Sequence, residues 1–171
     1  LQKPNIRVLK SNGNSTDIYE NKMIHGVGLI QSTDLEEFSE MNLDFVTTNK
    51  PNETEIEDLI FAMKVAKHAK SNAIVLAKNK MTLGVGAGQM SRVVSMKIAF
   101  MKADEEGLDV TNCVLASDAF FPFRDNIDLA ASKGVAHIIQ PGGSVKDKEV
   151  IEAAQENDVT MTLTGIRHFK H

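Results

Sequence analysis

From residue 72 onward the chain alternates short β-branched runs with amphipathic helical runs, and glycines close several of the helices. "NAIVLAKN" and "MTLGVG" read as two strands around a tight Lys78-Asn79-Lys80 turn. "AGQMSRVVSMKIAFMKADEEG" reads as a helix with Val94, Ile98 and Met101 on its apolar face, ended by Gly107. "NCVLAS" is a strand, "DNIDLAASKG" a helix ended by Gly134, and "VAHIIQ" a strand. "PGGS" is a turn, "KDKEVIEAAQEN" a helix, and "VTMTLTG" the last strand. This alternation specifies an α/β fold: a layered, mixed or mostly parallel sheet with flanking helices. Such topology gathers strand C-terminal ends on one edge, so the loops that follow the strands are expected to line one cleft.

The first part is less regular. "NIRVLK" (5–10) and "MIHGVGLIQS" (23–32) have strand composition, and a polar segment (11–17) separates them. "LDFVTT" (43–48) is a further short strand. "KPNETEIEDLIFAMKVAKHAK" starts a helix, acidic at its start and basic at its end, with Ile56, Leu59, Ile60, Met63 and Ala66 at helical spacing. At 171 residues the chain is one large domain, or two small lobes sharing a core. It begins like a strand entered mid-protein, without a signal peptide, which points to a fragment.

The net charge of −4 argues against nucleic-acid binding, which requires a basic face. Cys113 is the only cysteine, so no intrachain disulfide or multi-cysteine metal site can form, and a reducing cytoplasm fits best. No run of about 18 apolar residues exists, so no transmembrane helix is expected.

Five stretches carry candidate chemistry, each with a structural reading beside it. "SDAFFPFRD" (117–125) places Phe120, Phe121 and Phe123 around Pro122 in a chain with no tryptophan. The proline rules out a core strand or a helix interior, so the stretch reads as a loop with exposed or half-exposed aromatics, as a flat ligand would require. "GVGAGQMSR" (84–92) is a glycine-rich entry to a helix. It is either an anion-binding turn or a site of close backbone packing, and it matches neither the P-loop nor the dinucleotide fingerprint. Arg92, about one turn into that helix, faces a ligand or a surface acid. "KSNAIV" places Asn72 at a helix–strand junction, where it caps a turn or stabilises a developing oxyanion. In "PGGS", Ser144 contacts a ligand, caps the following helix, or both. "IRHFKH" (166–171) is a loose tail or, through Ile166 and Phe169, a docked one whose Arg167 suits phosphate or carboxylate. The zinc deaminase signature and the hydrolase nucleophile elbow are absent.

"KSNAIV", "GVGAGQMSRV", "ASDAFFPFRDNID", "IIQPGGSVKDKEVI" and "RHFKH" occur together, in this order and spacing. In this the chain resembles bifunctional purine biosynthesis proteins, which join an AICAR transformylase to an IMP cyclohydrolase. The resemblance covers residues 1–171 and is strongest from about residue 60. It implies the second, C-terminal lobe of the transformylase domain, a cytidine-deaminase-like lobe without the zinc site. On that resemblance, the first lobe and the cyclohydrolase domain would lie outside this chain. The implied reaction moves a formyl group from 10-formyltetrahydrofolate to AICAR. By motif position, Asn72, Arg92, Phe120 and Arg167 would contact AICAR, and Asn72 would support catalysis. Val93, Asp125, Ser144 and Val145 would contact the folate, with Asp125 on the pterin. The resemblance also implies a homodimer and leaves room for a monovalent cation, but no transition metal. The family's catalytic Lys-His pair belongs to the first lobe. Here Lys67-His68 falls inside an apolar-periodic helix, and His68 reads as a surface residue. The chain alone is therefore expected to be inactive. A non-catalytic nucleotide- or folate-binding lobe, or a dimerisation lobe, is the alternative.

Overall fold

The computed structural model describes residues 10, 19–36 and 43–170. They fall into two units, Leu1–Glu37 and Phe38–His171, each described by itself.

The first unit holds an antiparallel hairpin of β1 (Tyr19–Ile24) and β2 (Val27–Ser32). The single strand expected over 23–32 is therefore broken. His25 and Gly26 take φ of 47° and 82°, the left-handed pair that a two-residue hairpin turn requires. The loop expected over 11–17 lies outside the described residues, as does the strand expected over 5–10 except for Lys10.

The second unit runs β3 (Asp44–Phe45), α1 (Glu53–His68), β4 (Ile74–Lys78), β5 (Met81–Gly86), α2 (Arg92–Glu105), β6 (Cys113–Ser117), α3 (Asp125–Ser132), β7 (Val135–Gln140), α4 (Asp147–Glu156) and β8 (Thr160–Leu163). Its six strands are ordered β3-β8-β7-β6-β4-β5. β6, β7 and β8 are parallel, while β3, β4 and β5 pair antiparallel to their neighbours. This is the expected layered mixed sheet. The strand expected over 43–48 shrinks to two residues.

The central strands are buried on both faces and so read as unbroken apolar runs. α1 covers one face: Leu59, Ala62, Met63 and Ala66 pack on Val75, Ala77, Val114, Ala116 and Ile139. On the other face, Ile74, Leu76, Leu115, Ile138 and Met161 meet Met96, Phe100, Ile127 and Val150 of α2, α3 and α4. An Asn52–Glu55 capping box starts α1. Asp58, buried in α1, accepts from the amides of Asn79 and Lys80 at 2.7 and 2.6 Å. It thereby closes the β4–β5 turn, whose two residues have φ of 53° and 54°.

α2 differs from the sequence expectation in start and phase. It begins at Arg92, and residues 87–91 form a loop. Val94 and Met101 are 42% and 47% exposed, whereas Ser95, Met96, Ala99, Phe100 and Ala103 are buried. The cause is on β5. A Cβ at Gly84 would overlap the Ala99 carbonyl, and one at Gly86 the Ser95 carbonyl. The helix lies directly on glycine backbone, so the residues over β5, Ser95, Ala99 and Ala103, are small, while Met96 and Phe100 fill the core beside them. In the glycine-rich stretch, Gly84 and Gly86 therefore serve close packing.

Candidate functional site

The parallel strands β6, β7 and β8 end at one edge of the sheet. There, Ser117 of β6 pairs with Ile74 at the start of β4, and Ile74 with Gly86 at the end of β5. Segments 70–73, 87–93, 117–125, 141–146 and 164–170 therefore share that edge. Hydrogen bonds tie them together. Ser71 N donates to Lys170 O at 2.9 Å, Lys170 N to Ser71 Oγ at 2.9 Å, and His168 N to Asp118 O at 2.9 Å. The C-terminal segment to Lys170 is thus docked, and His171 lies outside the described residues.

Asn72 is anchored through its own peptide N–H and through Nδ2, both donating to Gln89 O at 3.1 and 2.9 Å, while its carbonyl accepts from Ser95 Oγ at 2.8 Å. Nδ2 keeps one N–H for a ligand. Arg92 is the first residue of α2 rather than one turn inside it. Its Nε donates to Ser117 Oγ at 3.3 Å and its Nη2 to Asp118 Oδ1 at 3.4 Å. Burial lowers the Arg92 pKa most, Asp118 opposes that, and nearby Arg167 lowers it further. Asp118 is fully buried, and its Oδ2 accepts from no group among the described residues. Sequence reading missed Asp118 because nothing local marks a buried acid.

The aromatic loop divides its labour. Phe121 is wholly buried, against the expectation of exposure, and its N–H donates to Gln140 Oε1 at 2.8 Å. It plugs the core and holds the loop. Phe120 stays half-buried beneath Arg167, whose guanidinium carbon lies 4.8 Å from the ring centroid. Arg167 Nη2 also reaches Gly143 O at 3.5 Å, joining the tail to the "PGGS" loop.

That loop is held by Asp147, which accepts from Gly143 N at 2.6 Å and Ser144 N at 3.1 Å. Ser144 is not the cap of α4. Lys146 occupies that position, and Ser144 Oγ accepts from its N–H at 3.1 Å. Val145 is fully exposed at the same edge.

Asn72, Arg92, Val93 and Asp125 line one cavity of about 300 Å³, together with Met90, Pro122, Phe123 and Asn126. Phe120, Ser144, Val145 and Arg167 do not line that cavity; Phe120 and Arg167 adjoin one another, and Arg167 reaches Gly143, which precedes Ser144 and Val145. A larger groove of about 440 Å³, between α2 and α3, contains none of the candidate site residues. His68 is exposed beside Phe61, Lys64 and Val65 on α1.

The family model described as AICARFT/IMPCHase bienzyme matches residues 1–102. The chain belongs to this family. Over 171 residues it is 56% identical to the bifunctional purine biosynthesis protein PurH of Xanthomonas axonopodis pv. citri (strain 306). It is 54% identical to that of Xanthomonas campestris pv. campestris (strain 8004). Each alignment covers 99% of this chain and 32% of the relative, so this family member spans about a third of the length of those proteins. Among solved structures, a dCMP deaminase from the cyanophage S-TIM5 aligns with 65% of this chain and 98% of its own, at TM-score 0.47 and 14% identity. A Thermotoga maritima diaminohydroxyphosphoribosylaminopyrimidine deaminase/reductase aligns with 64% of this chain and 35% of its own, at TM-score 0.45 and 14% identity. No helix among the described residues is long and apolar enough to cross a membrane.

Proposed function

We propose that this chain is the C-terminal lobe of an AICAR formyltransferase of purine biosynthesis, working in the cytoplasm as part of a homodimeric bifunctional enzyme. The observation that carries the reading is the shared cavity: Asn72, the Arg92–Val93 pair and Asp125, from three separate stretches of sequence, line one space at one sheet edge.

In the proposed reaction the AICAR amine attacks the formyl carbon of 10-formyltetrahydrofolate. A C–N bond forms, the bond from that carbon to folate N10 breaks, and the amine proton leaves to a base while N10 takes one up. The amine is a poor nucleophile because its lone pair conjugates with the ring and carboxamide. Alignment and oxyanion stabilisation therefore matter as much as proton removal. Arg167 and Arg92 hold the anionic and polar groups of AICAR. Phe120, kept in place by its buried neighbour Phe121, forms a wall for the heterocycle. The spare N–H of Asn72 faces the developing oxyanion. Asp125 accepts from the pterin's N–H groups, and Val93, Ser144 and Val145 complete the folate side. The base belongs to the Lys-His pair of the first lobe. Asp118, the buried acid at this edge, already faces the Arg92 guanidinium, so its charge calls for no monovalent cation.

The test is AICAR-dependent formation of tetrahydrofolate. A full-length family protein carrying this segment is expected to show it, and the 171-residue chain alone is not. Loss of a positioned base costs about 10²–10⁴-fold. Ligand binding without any transfer by the full-length protein would leave the non-catalytic binding lobe as the better reading. Neither binding nor transfer would leave the dimerisation lobe.

A further inference from the structure

Asn126 is 1% exposed, lies on α3 next to Asp125, and faces the same cavity. Its Nδ2 donates to Asp125 Oδ1 at 2.8 Å and lies 3.3 Å from Phe123 O. Both neighbours are acceptors, so the amide orientation is fixed, with nitrogen toward Asp125. The consequence is a buried Oδ1 with no hydrogen-bond partner. A half-satisfied buried amide is a worse core residue than leucine, which fills similar space without an orphaned acceptor. The donor toward Asp125 is what the asparagine supplies in return. Asp125 makes no ion pair among the described residues, and this N–H restrains its carboxylate.

We propose that Asn126 is a positioning residue for Asp125. It ties Oδ1 back to the helix and leaves Oδ2 turned to a ligand that presents adjacent N–H donors, as a 2-amino-4-oxo heterocycle does. The inference rests on the formyltransferase reading and adds a specificity determinant to its folate side. A structural role and a positioning role make opposite predictions. If the amide served the core, replacing it would cost stability. If it serves Asp125, an apolar replacement keeps or raises stability while folate recognition suffers.

The test uses a full-length family protein carrying this segment, with Asn126→Leu, Asn126→Ala and Asp125→Ala, and Asn126→Leu combined with Asp125→Ala. Thermal midpoints and the apparent KM for folate and for AICAR are read separately. The expected result for Asn126→Leu is an unchanged or raised midpoint and a KM for folate raised about tenfold, the scale of one charge-assisted hydrogen bond. The KM for AICAR should stay within about twofold, and Asn126→Leu should add nothing once Asp125 is alanine. An unchanged KM for folate in a folded Asn126→Leu protein overturns the inference alone. So does loss of folding in both the leucine and alanine variants, which would assign the amide to the core. Absence of formyl transfer in the unmodified protein overturns the formyltransferase reading, and this inference with it.

Discussion

Cys113 and His137 show what burial does to single titratable groups. Burial pushes the Cys113 thiol up to about 12, disfavouring the thiolate. The same cause lowers the His137 pKa, and Glu55 only partly opposes it. Glu55 Oε1 lies 3.3 Å from His137 Nε2, and an ionised carboxylate can only accept. Nε2 therefore carries the proton, and Nδ1 accepts from Thr160 Oγ1 at 2.9 Å. The two groups limit stability from opposite sides. The unfolded chain takes up a proton at His137 before the folded chain does, so stability falls as pH drops through about 6.5 toward the lower folded value. The unfolded chain releases the Cys113 proton first, so stability also falls as pH rises from about 8.5 toward 12. Each limb has a slope of about 1.4 kcal/mol per pH unit per proton. Urea unfolding across pH is expected to show both limbs, with Cys113→Ala flattening the alkaline one and His137→Gln the acid one. A wild-type curve unchanged by either substitution would contradict this.

α2 places Arg92 and Val93, and its position is set by the glycines beneath it. Gly86→Ala drives a methyl into the Ser95 carbonyl, and the helix must lift from β5. Overpacking of this kind costs about 1–3 kcal/mol. Because Ser95 Oγ also holds the Asn72 carbonyl, the shift reaches both ends of the cavity. In the full-length protein, Gly86→Ala is expected to lower the melting temperature and to raise KM for both AICAR and folate, measurable by calorimetry and steady-state kinetics. Elements of this kind were partly legible in the sequence. β7 spans Val135–Gln140 as expected, because Gly134 and Pro141 punctuate it and its residues are β-formers. The phase of α2 was not legible, because nothing within 92–105 shows that two glycines on another strand demand small residues. The turn at His25–Gly26 was hidden by apolar residues on both sides. Asp58, Asp118 and Asn126 had no local signature, since each acts on groups that only the tertiary fold brings near.

At the scale of the whole molecule, the proposed function puts half of a two-substrate site at the sheet edge. Asp125, Val93, Ser144 and Val145 belong to the proposed folate side, and Arg167, Phe120, Arg92 and Asn72 to the AICAR side. Met90 and Val145 stand fully exposed at this edge, as residues that meet a ligand or another lobe would. Holding two reactants in register is worth about 7–11 kcal/mol, and half a site does not supply that alignment. Two side chains on opposite sides of the proposed site therefore report on it independently. The measurement is steady-state formyl transfer by the full-length protein, with Asp125→Ala and Arg167→Ala compared in one assay. Asp125→Ala should raise the KM for folate about 10–100-fold and leave that for AICAR near its starting value, the scale of lost hydrogen bonds to a charged group. Arg167→Ala should do the reverse. Two variants that fold and leave both constants unchanged would contradict the account.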